Sequence, residues 1–206
     1  MIDYTVRSIN SKLANSIQIK HHYLHTRGSC SQAFGLFDGN DIIGVILFGN
    51  PTAPTTIKIC GEHNKKNVIE LTRLWIKDDT PKNTESYFIS RALKHVSKPI
   101  IIAFADPDAN HIGIIYQACS FIYLGKSARG GRVIAIKNNK IHNKTLWSEY
   151  KTAKRIREVF GSDNVYYKEY NTKHRYVYIN CHKKLRLKYI SDLIYSVKKY
   201  PKHKYI

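Results

Sequence analysis

Acid is what this chain has least of. It carries 15 Asp and Glu against 34 Lys and Arg, a formal charge of +19 and an isoelectric point near 9.8. So strong an imbalance disfavours cationic partners and makes a polyanion the natural counterpart. Cysteine is sparse as well. Cys30, Cys60, Cys119 and Cys181 form no CxxC pair, which excludes a zinc ribbon and a thioredoxin-like motif and points to a reducing compartment. No apolar segment follows a basic start, and no uninterrupted apolar run reaches membrane-spanning length. A soluble, non-exported protein with no membrane partner is expected.

What is present suffices for a core. With 206 residues, 43% of them hydrophobic and 12% aromatic, the chain fits one domain, or one domain with an appendage. The charge is uneven: residues 1–136 hold 16 basic and 10 acidic side chains, residues 137–206 hold 18 and 5. Nine of the fifteen tyrosines lie beyond residue 160, interleaved with Lys and Arg in "YYKEYNTKHRYVYINCHKKLRLKYI". Basic groups neutralise phosphates and aromatic faces stack on bases, so this third suits nucleic acid, DNA and RNA alike. A charge run can also be a plain solvated face.

The periodicities alternate strand and helix. "YTVRSI" (4–9) reads as a strand, and residues 10–25 as a helix with Leu13, Ile17 and Leu24 on one side. The two apolar runs around Asp38-Gly39-Asn40-Asp41 form a hairpin. Residues 51–66, broken by two prolines and a glycine, read as a surface loop. Strict alternation in "NVIELTRLWI" (67–76) sets Leu71, Arg73 and Trp75 on one face and Glu70, Thr72, Leu74 and Ile76 on the other. Residues 84–96 carry the stripe of an amphipathic helix. "KPIIIAFA" (98–105) reads as a strand buried on both faces, and residues 110–119 as a helix. "FIYLG" and 131–138 read as strands, 145–161 as a basic helix, and two more strands follow. The order describes an α+β domain.

Several side chains stand out. Asp106 follows an apolar strand and precedes a proline, so its backbone is extended and its carboxylate emerges at the strand's carboxyl end, where ligands collect. The alternative is a cap for the following helix; Asp108 or Asn110 fits that task better, which frees Asp106. Tyr116 lies one turn beyond Gly113, which leaves room for a ligand beside the ring or simply lets an amphipathic tyrosine pack on the sheet. Arg73 on an apolar strand face needs a partner, either a core acid or a bound anion. His21, His22 and His25, with Cys30 near, include an HxxH spacing, but no spaced carboxylate or thiol completes a metal set, so no metal ligands are assigned.

The pieces "KHHYLH", "FGLFDGNDIIGVILFGNP", "ELTRLWI", "ESYFISRAL", "AFADPDANHIGIIYQACSFIYLG" and "YPK" together resemble the Gcn5-related N-acetyltransferase fold, and more narrowly the Mom DNA-modification family of bacteriophages. The resemblance implies a mixed central sheet flanked by helices over residues 1–138, with residues 139–206 a basic, Tyr-rich extension packed on it. It implies a transferase that adds a carbamoylmethyl-type group to N6 of adenine in double-stranded DNA, protecting phage DNA from restriction in the cytoplasm of the infected host. His22, Tyr23, Arg73, Asp106 and Tyr116 become the catalytic candidates, with Asp106 accepting or orienting the N6 proton and Tyr116 acting as an acid. Leu74, Trp75, Ser86 and Ser90 become donor contacts. Lys126, Arg129, Arg132, Arg175, Lys183, Lys184 and Arg186 become DNA contacts.

The resemblance implies an acyl-CoA-like donor, with iron as a second possibility. It departs from acetyltransferases in one place: the segment "DDTPKNTES" has no glycine to cradle a pyrophosphate. Nothing in the sequence sets the oligomeric state, with a homodimer one option. Two rivals share the same features, an acyltransferase acting on a small amine or protein, and a nucleic-acid-binding protein without activity.

Overall fold

A computed structural model of the chain describes residues 4–51, 53–127, 131–139, 141 and 143–202. Arg129, one of the expected DNA contacts, lies outside them.

Strand β1 (Thr5–Ser8) leads to helix α1 (Ser11–His21), started by the Asn10 side chain, which accepts from the Leu13 amide at 2.8 Å. Strands β2 (Gln32–Asp38) and β3 (Asp41–Gly49) form the expected hairpin. The segment read as a loop holds a one-turn helix, α2 (Pro54–Ile57), and a 3-10 turn at Glu62–Asn67. Strand β4 (Val68–Ile76), helix α3 (Thr84–Leu93) and strand β5 (Ile100–Ala105) follow, then a 3-10 turn at Pro107–Ala109.

Helix α4 covers only Ile114–Ala118, because Asn110 and Gly113 both take positive φ. Strands β6 (Ile122–Lys126) and β7 (Gly131–Ile136) come next. The single basic helix expected over 145–161 is two, α5 (Asn143–Tyr150) and α6 (Ala153–Phe160), broken at Lys151 with φ of 62° and restarted by Thr152. Strands β8 (Val165–Tyr170) and β9 (His174–Ile179) and helix α7 (Lys183–Ser191) complete the described elements.

Seven strands form one mixed sheet in the order β1-β2-β3-β4-β5-β9-β6, with β4 and β5 parallel and the other pairs antiparallel. Side chains alternate across a strand, so β5 feeds two cores. Ile101 and Ala103 pack with Phe88, Ile89, Leu93 and Phe121 under α3 and α4, while Ile100 and Ile102 pack with Ile59, Val177 and Tyr189 under α7. The mixed α+β sheet flanked by helices agrees with the sequence reading.

The expected boundary at residue 138 does not follow the chain's path. Strand β9 comes from the basic C-terminal third, yet it sits inside the sheet between β5 and β6. Its tyrosines serve the core: Tyr176 is fully buried, Tyr178 half-buried, and Tyr189 of α7 is 6% exposed. The separate unit is internal instead. Strands β7 and β8 pair only with each other, and α5 and α6 cover one face of that ribbon with a small core of Ile134, Ile136, Leu146 and Ile156. This insertion leaves the sheet after β6 and rejoins it at β9. Its neck is closed by two hydrogen bonds: the Ser127 amide donates to Lys173 O at 2.7 Å, and the Lys173 amide to Ser127 Oγ at 3.0 Å.

Candidate active site

The site begins with an irregularity in β4. Across the β3 ladder Phe48 pairs with Leu71 and Leu47 with Arg73, so Thr72 has no partner and forms a bulge. Its hydroxyl donates to Ser29 O at 2.7 Å. One extra residue reverses which face every later side chain occupies. The strict alternation expected from the sequence is therefore corrected: Leu71, Leu74 and Ile76 lie together over α3, while Glu70 joins Arg73 and Trp75 on the opposite side. The bulge also ends the pairing with β5. The two parallel strands are bonded only from Val68 opposite Ile100 to Leu71 opposite Ala103, although β4 continues to Ile76 and β5 to Ala105.

A cleft of about 670 Å³ opens at this parting. His22, Tyr23, Arg73, Leu74, Trp75, Asp106 and Tyr116 all line it, so the five catalytic candidates and two of the donor contacts converge. Glu70, Lys144 and Lys173 join them; the sequence reading assigned none of the three to the site. Glu70 was legible in principle as an acid within an apolar strand. Lys144 and Lys173 belong to α5 and to the neck of the insertion, distant in sequence, and carry no local signal.

Asp106 is the cap it was expected not to be. Its Oδ1 accepts from the Asp108 amide at 3.1 Å, and its Oδ2 pairs with Lys173 Nζ at 2.9 Å. Asp108 instead accepts from the amide and side chain of Asn171. Capping still leaves the Asp106 carboxylate on the cleft wall, beside the Lys173 ammonium.

Arg73, 8% exposed, is held by neutral oxygens rather than by the core acid considered above: Nη1 donates to Thr72 O at 2.7 Å, and Nη2 to Thr26 Oγ1 at 3.3 Å and Arg27 O at 3.4 Å. Its buried Nε has no hydrogen-bond partner. Burial pulls its pKa down, against the opposing effect of Tyr23 and Glu70. Burial pushes the Glu70 carboxyl up, opposed by Lys144, Arg73 and Lys173. Lys144 is lowered by burial first, then by Arg73 and Lys173.

His22 closes α1, and its Nδ1 accepts from the Leu24 amide at 3.1 Å. Its ring stacks on Tyr23 at 4.4 Å, and His21 stacks on Trp75 at 4.7 Å. The Tyr23 hydroxyl is raised by burial and then by Asp106, with Arg73 opposing.

Tyr116 is 7% exposed, with its ring against Phe121 and Tyr176, each at 5.4 Å. Burial keeps it a neutral phenol far above its ordinary range. The room expected beside Gly113 is not there for a ligand, because the Tyr176 ring occupies it and a Cβ at Gly113 would overlap that ring.

Other assignments are corrected. Ser86 and Ser90 do not line the cleft: Ser86 Oγ donates to Asn83 O at 3.0 Å and Ser90 Oγ contacts Cys119 Sγ at 3.4 Å, so both belong to the start and the α4-facing side of α3. Arg175 is 6% exposed and lies 3.7 Å from the centre of the Tyr195 ring, a packed cation and not a surface contact. Lys126 and Arg132 are exposed. Lys183, Lys184 and Arg186 are also exposed, at the end of the sheet away from the cleft. Strand β9 enters at the cleft, His174 beside Ala105, and leaves at the far end, Ile179 beside Ile100.

Among the described residues no three His, Cys, Asp or Glu side chains gather to hold a metal ion. The parted edge of β4 fits an extended, amide-bearing arm such as that of an acyl-CoA. The start of α3 offers amides without a side-chain cap, but the loop before it lacks glycine, and Asp78 and Glu85 line the cleft there, which disfavours a pyrophosphate. No described helix is long and apolar enough to cross a membrane.

Comparison with known proteins agrees with the motifs. The methylcarbamoylase mom of Escherichia phage Mu is 33% identical over 127 residues, 58% of this chain and 53% of that protein, so the match spans about half of its length. In overall path the chain is similar to Arabidopsis thaliana NAA60 in complex with acetyl-CoA, 11% identical with a TM-score of 0.49, over 85% of this chain and 98% of that one. It is similar too to the ribosomal-protein-S5-alanine acetyltransferase of Vibrio fischeri, 14% identical with a TM-score of 0.46, over 87% and 94%. The Mom protein family matches residues 3–202, nearly the whole sequence. The chain belongs to the Mom protein family.

Proposed function

We propose that this protein is a DNA-modifying transferase that attaches a carbamoylmethyl-type group to N6 of adenine, shielding phage DNA from restriction in the cytoplasm of the infected host. Family membership supports modification, and the observation that carries the chemistry is the convergence of Tyr23, Glu70, Arg73, Asp106 and Tyr116 on one cleft. Its volume, about 670 Å³, lies within the range of small-molecule sites and admits an extruded base.

Adenine N6 is engaged in pairing inside a duplex, so the base must leave the stack, at about a few kcal/mol. Tyr23 and Trp75 offer aromatic faces to receive it. The Asp106 carboxylate, fixed by Lys173, accepts a hydrogen bond from the N6 amino group and orients it. Glu70 is the proton acceptor, because burial raises its pKa, while the Asp106 carboxylate is engaged by the Asp108 amide and Lys173. As N6 bonds to the electrophilic carbon of the donor, the leaving group departs and the N6 proton passes to Glu70. Arg73 and the neutral Tyr116 hydroxyl stabilise charge developing on the donor side. An acyl-CoA-like donor, its arm lying along Leu74 and Trp75, would present a carbonyl carbon and leave an N6-acyl group with release of the thiol, whereas a carbamoylmethyl product requires a donor whose leaving group departs from a methylene carbon.

The test is mass spectrometry of nucleosides from DNA of cells expressing the wild type and Asp106→Asn. A modified deoxyadenosine in the first and not the second is expected. Unmodified adenine throughout with wild type overturns the proposal.

A further inference from the structure

The lining of the cleft carries no excess of positive charge. It holds four acids, Glu70, Asp78, Glu85 and Asp106, against Arg73, Lys144 and Lys173. The +19 of the whole chain must therefore act from another surface, one close enough to serve the cleft.

The insertion is in that position. Both of its ends leave the sheet at the cleft end, where Lys126 of β6 pairs with His174 of β9. It reaches back across the rim: Thr145 Oγ1 donates to Leu24 O at 2.7 Å, and Lys144 lines the cleft. Residues 131–170 contain nine Lys and Arg against four Asp and Glu. Of the five exposed large aromatics among the described residues, Trp147, Tyr166 and Tyr167 are on the insertion and Tyr23 is in the cleft.

The β7–β8 ribbon has two unlike faces. Opposed residues share a face, so Ile134, Ile136, Val165 and Tyr167 turn toward α5 and α6. The other face carries Val133, Ala135, Tyr166 and Lys168, with Lys137 at its end; Tyr166 is 44% exposed, both lysines are exposed, Ala135 is buried, and none of these five is acidic.

We propose that this outer face of the β7–β8 ribbon seats duplex DNA beside the cleft. Charge complementarity commits it to phosphate, and a two-stranded antiparallel ribbon has dimensions a major groove admits. The proposal rests on the DNA reading above and deepens it. Lys137 and Lys168 contact the backbone, Tyr166 packs against sugar or base, and the neck delivers the target nucleotide to Asp106.

The experiment measures binding of a labelled duplex oligonucleotide to the full chain by fluorescence anisotropy over a range of salt concentrations. K137E/K168E is compared with K183E/K184E, an equal change of charge at the far end of the sheet, with thermal melting to verify folding. The ribbon variant is expected to bind at least about tenfold more weakly, with a salt slope lower by about 2. The α7 variant stays within about twofold of the wild type, since long-range charge alone is screened. Tyr166→Ala should weaken binding without changing the slope.

Equal loss in the two double variants overturns the proposal, as does loss confined to K154E/R155E on α6 or a preference for single-stranded RNA over the duplex. If wild type neither retains the duplex nor yields modified deoxyadenosine, the DNA reading itself falls. If it does both while K137E/K168E behaves as wild type, only the ribbon assignment falls.

Discussion

Glu70 and Arg73 share one side of β4 only because Thr72 is an extra residue between them. That relationship makes the site testable by length as well as by chemistry. Deleting Thr72 restores simple alternation and turns either the acid or the guanidinium into an apolar core. Loss of modification is expected, together with a destabilisation of about 3 kcal/mol or more from a buried, unpaired charge. Urea denaturation and nucleoside mass spectrometry measure the two effects.

Glu70→Gln separates stability from activity. Burial raises the folded-state pKa of Glu70 above its ordinary value near 4.5. A carboxyl raised in this way binds its proton more tightly when folded, so stability falls as pH rises from the unfolded pKa through the folded one. The glutamine variant escapes this penalty and should melt higher at neutral pH. Its modification rate should drop by about 10²–10⁴, the usual share of a general base. In the wild type the rate should rise with pH through that raised pKa, and this limb should vanish in the variant.

Asp106→Asn keeps an oxygen for the Asp108 amide and loses the charge facing Lys173. Lys173 is 41% exposed, so the pair contributes at most about 1 kcal/mol to stability. The variant should fold and bind DNA as wild type does while modified deoxyadenosine disappears. Loss of duplex binding would remove Asp106 from its orienting role.

Tyr116→Phe should lower the rate by about 10²–10³-fold, as loss of one neutral transition-state hydrogen-bond donor does. The phenol is buried and titrates far above physiological pH. The shape of the pH profile should therefore be unchanged, in contrast to Glu70→Gln.

Gly113→Ala tests the wall between cleft and core. Gly113 has φ of 84° and backs onto the Tyr176 ring, so a methyl group meets both backbone strain and overlap. A loss of about 2 kcal/mol or more is expected in urea denaturation.

How far the sequence announced this arrangement differs from residue to residue. Asp106, Tyr116, His22, Tyr23 and Arg73 stand in local motifs, and all five reach the cleft. The bulge was invisible because Thr72 suits a regular strand as well as an irregular one and no Gly or Pro marks it. Strand β9 read correctly as a strand, but its place between β5 and β6 is set by pairing over some 75 residues, which local periodicity does not encode. The Tyr-rich tail misled for a related reason. An aromatic with one polar atom suits a buried sheet as well as a base-stacking surface, and for Tyr176, whose hydroxyl meets Ile112 O and Gln117, burial prevailed.

The neck of the insertion has a mechanical meaning. Lys173 fixes the neck through its backbone while its ammonium group lies 2.9 Å from Asp106. A shift of the insertion therefore moves a positive charge relative to the carboxylate. Substrate capture and readiness of the acid are then two readouts of one displacement.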